Sequence, residues 1–232
     1  MLGDRIVHEP PPWSLESLVA ESLSGGETML DMGTGGGEWL SSLCRPARVV
    51  ATEGWAPNVP VAAARLRPLG VSVVRDEGAI DNVDQPSRAP RGRLALRDRA
   101  FDVVVNRHEA FVAAEVQRVL RPGGCFLTQQ TESGSHEFHR VLGLEPPPRL
   151  EFGLDLARQQ LSEAGLAVER AGTGPATTTF ADIGALAWYL SNVPWAVPGF
   201  SVATHRAQLH ALHGSSIAVS STRFWLQARR PS

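Results

Sequence analysis

The stretch Leu30-Asp31-Met32-Gly33-Thr34-Gly35-Gly36-Gly37-Glu38 carries an apolar strand end into a run of glycines and then into a helix start. Without a Cβ, glycine adopts left-handed backbone angles and lets a ligand come close to the main chain. The dinucleotide fingerprint Gly-x-Gly-x-x-Gly would place its third glycine at position 38, where Glu38 stands. A carboxylate at a helix start is a poor neighbour for a pyrophosphate. NAD and FAD are therefore disfavoured, and a ligand without phosphate is favoured. Asp31 is then placed to face a cationic head group; its plainer role is turn or cap duty.

The pattern outward from this turn alternates. Thr28 to Met32 reads as a buried strand, and Trp39 to Leu43 begins a helix. Arg48 to Glu53 is a second strand, Val59 to Leu66 a helix and Val71 to Val74 a third strand. Asp76 to Asp98 is polar and rich in Pro and Arg, as a long loop is. Phe101 to Asn106 is a fourth strand, Ala110 to Leu120 a helix stopped by Pro122-Gly123-Gly124, and Cys125 to Gln129 a fifth strand. Strands alternating with helices predict an α/β, doubly wound (Rossmann-like) sheet with helices on both faces. Further on, Leu154 to Gly165 suits a helix, Leu166 to Arg170 a strand, Phe180 to Leu190 a helix and Thr222 to Ala228 a closing strand. At the start, Glu9 to Trp13 is an extended arm, and Ser14 can cap a helix with apolar positions Leu15, Leu18, Val19 and Leu23. The expected organisation is an N-terminal arm and helix over 1–27, then one domain over 28–232 with a lid or substrate insertion at about 180–219.

Composition narrows the chemistry. The chain has 232 residues, is 43% hydrophobic and carries a net charge of -2. All 22 basic residues are arginine. Without lysine there is no pyridoxal Schiff base, no lysine nucleophile and no phosphate-loop lysine. The slight acidic balance argues against a dedicated nucleic-acid binder. Cys44 and Cys125 are too few for a disulfide scaffold or a cysteine zinc site. Ile183 to Thr204 is 22 residues without a formal charge. That is long enough to cross a bilayer, but Ser191, Asn192, Pro194, Pro198 and Gly199 break it. It is read as an apolar pocket wall in a cytoplasmic protein.

Glu53 ends the second strand 22 residues after Asp31. A carboxylate there can accept two hydrogen bonds from ribose hydroxyls; its plainer role is a solvated strand end. With the glycine turn Asp31–Gly37, the strand Phe101-Asp102-Val-Val-Val-Asn106 and the turn Leu120-Arg121-Pro122-Gly123-Gly124, the sequence over about 28–130 resembles the class I S-adenosylmethionine-dependent methyltransferases. The resemblance implies a seven-stranded sheet, parallel except for one late strand. It implies S-adenosylmethionine as cofactor, with Gly33, Gly35 and Gly37, and Thr34 between them, around its methionine part and Glu53 on its ribose. Trp55 would flank the adenine, and an acidic or amide residue after strand three would meet the adenine amino group. Asp76, Glu77, Asp81, Asn82 and Asp84 compete for that place, with Asp81 or Asn82 favoured. Asn106 would contact the cofactor.

Methyl transfer is an in-line displacement on an electrophilic sulfonium methyl. Positioning is therefore the main demand, with the reacting atoms held roughly 3–3.5 Å apart. His108 is the candidate general base, because histidine titrates near neutral pH; its alternative is orienting a loop. Arg107, Gln130, Trp188 and Trp195 are candidates for acceptor contacts. His205, His210 and His213 lack the convergence of a zinc site, and no metal is expected. The expected activity is methylation of a small-molecule acceptor, such as a metabolite or natural product. Asn106-Arg107-His108-Glu109 is not the Pro-Pro loop of amino-directed DNA methyltransferases, and no Pro-Cys pair supplies a cytosine C5 nucleophile. Two alternatives stay open: RNA base methylation using the arginine run Arg88, Arg91, Arg93, Arg97 and Arg99, and cofactor binding without turnover.

Overall fold

The computed structural model describes residues 3–43, 48–83, 93–132, 136–146, 152–194 and 196–232. Eight strands form one sheet: β1 (Ile6–His8), β2 (Thr28–Met32), β3 (Arg48–Glu53), β4 (Ser72–Arg75), β5 (Phe101–Arg107), β6 (Leu120–Thr131), β7 (Ala167–Phe180) and β8 (Ile217–Arg229). Their spatial order is β1-β7-β8-β6-β5-β2-β3-β4. The helices are α1 (Leu15–Glu21), α2 (Glu38–Ser42), α3 (Asn58–Leu66), α4 (Ala113–Val119), α5 (Glu137–Val141), α6 (Leu154–Glu163), α7 (Ile183–Asn192) and α8 (Arg206–Ala211).

The central strands are parallel: β2 lies between β3 and β5, β4 pairs with β3, and β6 with β5. Val49, Ala51, Val103, Val104 and Val105 are buried, as strands covered on both faces require. β8 runs against β6. Gly123 donates to the Arg230 carbonyl at one end, and Glu132 to the Thr222 carbonyl at the other. This is the one late antiparallel strand expected.

The strand count differs from the expected seven. Ile6–His8, read as part of an arm, pairs antiparallel with Thr178–Phe180 as an edge strand. β7 also runs well past the expected Arg170, through Gly172 and Gly174. A Cβ on Gly172 would stand 2.6 Å from Trp225 Nε1, and one on Gly174 would stand 2.7 Å from the Pro12 ring. Both glycines admit side chains packed across the strand.

The chain falls into two compact units. One comprises 14–131, 152–173 and 224–232. Its core packs Phe111, Phe126, Phe152 and Phe224 with Leu30, Val104 and Leu161. The other comprises 1–13, 132–151 and 174–223, around Phe180, Leu186, Leu190 and Leu209. The segment 1–27 is thus divided between them, with α1, capped by the Ser14 hydroxyl, in the first unit. The uncharged stretch from Ile183 begins with α7. Among the described residues no helix is long and apolar enough to cross a membrane.

Candidate functional site

The chain leaves β2 for β3 and β4 on one side, then returns to β5 on the other. The tips of β2, β3 and β5 therefore meet at the point where the strand order reverses, the usual ligand crevice of such sheets. The register places Asp31 opposite Ala51 and Val105, and Met32 opposite Asn106. Asp31, Glu53 and Asn106 are all brought to these neighbouring tips.

The glycine turn is fastened to β3. The Thr34 amide donates to the Thr52 carbonyl at 2.8 Å and the Gly33 amide to the Thr52 hydroxyl at 3.3 Å. Gly33 has φ +71°, and a Cβ there would lie 2.5 Å from Glu109 Cγ. Gly37, φ +80°, caps α2 and abuts Leu66. A Cβ on Gly35 would meet nothing within 4 Å, so the turn stands open at its middle. Glu38 opens α2, and the Arg65 guanidinium bonds both its carboxylate and the Gly36 carbonyl.

Two acids at the tips are buried. Asp31 is 2% exposed, and its Oδ2 has no hydrogen-bond partner. Burial pushes its pKa up to about 6; Glu53 adds to the rise, and Thr34 and Arg107 oppose it. Glu53 is 6% exposed and accepts the Trp55 amide at 2.7 Å. Trp55 itself is 65% exposed beside this tip. Asn106 is fully buried; its Oδ1 accepts from Thr128 and Gln130, while its Nδ2 has no partner.

The two favoured residues after the third parallel strand (β4) serve local structure. Asp81 accepts the Val83 amide at 2.8 Å, and Asn82 Oδ1 accepts the Phe111 amide at 2.9 Å. Asp76 likewise accepts the Gly78 and Ala95 amides. Gln130, read as an acceptor contact, is 4% exposed; its amide donates to Asn106, Thr128 and the Glu109 carbonyl. It braces Asn106 from behind. Its neighbour Gln129 reaches the site instead, with Nε2 at 3.2 Å from His108 Nε2. The two groups are within hydrogen-bond distance, with the donor and acceptor roles following the histidine tautomer.

His108 is exposed and left-handed, φ 60°, with its amide donating to the Gln129 carbonyl at 2.9 Å. A non-glycine residue in this region stores strain of the kind that collects at functional sites. Arg107, also exposed, stacks 5.5 Å over the Trp39 ring, whose indole N–H donates to Glu16 at 2.6 Å. Trp188 lies on α7 in the other unit and is 50% exposed. Trp195, Asp84, Arg88 and Arg91 lie outside the described residues.

Sequence reasoning missed Glu109, Trp39 and Glu16. Glu109 follows His108 directly, and its position after the strand tip was the available signal. Its carboxyl is pushed up to about 7 by burial and then by Glu53. Asp31, Glu53 and Glu109 together line the crevice with three carboxyl groups, one of them with an orphaned oxygen. That suits a ligand with an ammonium and a diol and repels a pyrophosphate. The nucleoside–amino-acid cofactor implied by the resemblance fits these residues.

A family model described as a methyltransferase domain matches residues 30–128. No curated protein matches the chain. Among solved structures, a Bacillus halodurans C-125 protein proposed as a methyltransferase is 19% identical with TM-score 0.60, the match covering 95% of this chain and 100% of that one. The [4+2]-cyclase SpnF is 21% identical with TM-score 0.56, covering 94% and 80% respectively. A protein of echinomycin biosynthesis associated with conversion of a disulfide bond into a thioacetal group is 16% identical with TM-score 0.56, covering 96% and 82%. At these identities the likenesses establish a shared fold.

Proposed function

We propose that the chain is a class I S-adenosylmethionine-dependent methyltransferase, a reading supported by the methyltransferase-domain model matched over residues 30–128, and that it methylates a small-molecule acceptor. The observation that carries this reading is the meeting of Asp31, Glu53 and Asn106 at three adjacent strand tips beside an open glycine turn. When bound, S-adenosylmethionine supplies an electrophilic methyl group, so the chain's work is to hold, orient and move a proton. In this reading Asp31 pairs with an ammonium, Glu53 accepts from a diol, and the free Asn106 amide donates to a carbonyl or carboxylate. Trp55 offers an exposed ring to an adenine, with Asp81 or Asn82 on the loop beyond. Asp81 accepts the Val83 amide and Asn82 Oδ1 the Phe111 amide; either would meet an adenine amino group through a further oxygen lone pair, since Asn82 Nδ2 can only donate.

At the acceptor side, His108 takes the proton that a hydroxyl or ammonium nucleophile must lose. An incoming donor would replace the Gln129 amide at Nε2. Arg107, steadied by Trp39, is placed to contact the acceptor. The name of the echinomycin neighbour supports a small natural-product-like acceptor. The cyclase neighbour is a reminder that this fold hosts more than one reaction, so methyl transfer must be measured directly. We place the protein in the cytoplasm.

Glu53→Ala tests the cofactor assignment. It should weaken S-adenosylmethionine binding by about 1.5–3 kcal/mol, the usual size for hydrogen bonds to a charged group. Unchanged affinity by calorimetry, in a variant that still folds, would remove Glu53 from the site.

A further inference from the structure

Neither the ammonium nor the diol of the proposed cofactor is assigned to Glu109. The Glu109 side chain lies on Gly33, with a Gly33 Cβ position only 2.6 Å from its Cβ and 2.7 Å from its Oε2. On its other side, Oε1 is 3.5 Å from the Cβ position of Gly78. The carboxyl is thus wedged between the glycine turn after β2 and the loop after β4. Among the described residues no ion pair engages it, and the Ala110 amide is the one group that steadies its charge.

Resting on the proposed cofactor, a process of elimination follows. S-adenosylmethionine and its demethylated product share an ammonium, a carboxylate and a ribose diol. Asp31 and Glu53 answer the ammonium and the diol, which are present in both. The sulfonium charge exists only before transfer. We propose that Glu109 is the specificity-determining residue that reads this charge, favouring the cationic cofactor over the neutral product. A carboxylate held out of water attracts a nearby cation far more strongly than one in bulk solvent. It offers no comparable attraction to a thioether.

The orphaned Asp31 Oδ2 is the independent sign that the crevice is built for a cation. The charged and titratable groups around Glu109 are Glu53 and Asp31 on the neighbouring tips, and Arg107 and His108 on its own segment. On the Gly78 loop, Asp76 is held by backbone amides and Glu77 lies 3.6 Å from Arg75. None of these is a cation paired with Glu109. With burial holding Glu109 near half-protonated at neutral pH, arrival of a cation must expel a proton.

The test is calorimetry of the wild-type chain and of Glu109→Gln with S-adenosylmethionine and with S-adenosylhomocysteine, in two buffers of different ionisation enthalpy at pH 7. Glu109→Gln is expected to lose roughly 5- to 30-fold in affinity for the sulfonium and less than 2-fold for the thioether. At about 1.4 kcal/mol per factor of ten this range is about 1–2 kcal/mol, for a charge contact with a sulfonium that has no hydrogen to donate. The wild type is expected to release more protons on binding the sulfonium than the thioether, a difference absent in Glu109→Gln. Equal losses for both ligands, or no loss, would overturn the inference. If Glu109→Gln fails to fold, equal proton release by the wild type with both ligands would overturn it alone. Failure of the wild type to bind either ligand would instead sink the cofactor reading beneath it.

Discussion

His108→Ala is expected to leave cofactor affinity within a few-fold of the wild type and to lower turnover by about 100-fold or more, the usual scale for removing a positioned general base. The expectation rests on where the ring is held. β5 ends at Arg107, and His108 turns out of the sheet in a left-handed conformation. Its amide is pinned to the Gln129 carbonyl and its Nε2 faces the Gln129 side chain. Methyl transfer from labelled cofactor to an acceptor that turns over in a small-molecule panel provides the measurement. Full turnover in the variant would end the role of His108 as base. A drop below ten-fold would leave it only an orienting part.

Phe111→Ala is expected to cost about 3–5 kcal/mol of stability, which for a chain of this size lowers the melting temperature by roughly 6–20 °C. Phe111 is fully buried, edge-on to Phe126 at 5.1 Å and to Phe152 at 6.4 Å. Its amide also holds Asn82, so the same residue ties the loop after β4 to the segment carrying His108 and Glu109. The backbone amide bond to Asn82 survives the substitution, so any fall in cofactor affinity would come from the lost ring packing beneath the segment that carries His108 and Glu109. A thermal melt unchanged within 2 °C would contradict this placement of Phe111.

The parts of the site that lie on one strand tip each were legible in the sequence. Asp31 and Glu53 announce themselves through spacing, because a parallel sheet puts residues at equivalent strand ends side by side. The glycine turn does so through composition. Glu109 was hidden, since its burial depends on Gly33 and Gly78, which are distant in sequence. Gln130 looked like a free amide; only the fold shows its donors spent on Asn106 and the Glu109 carbonyl. Likewise the strand expected over Leu166 to Arg170 continues through Gly172 and Gly174, whose missing side chains leave room for Trp225 and Pro12. The edge strand Ile6–His8 is three residues long and draws its order from β7, so no local pattern marks it.

The most direct measurement is titration calorimetry of the purified chain with S-adenosylmethionine, with NAD run in parallel. Saturable heat with S-adenosylmethionine and none with NAD is the predicted result. Silence with S-adenosylmethionine together with binding of NAD would contradict the assignment of the crevice at Asp31, Glu53 and Asn106.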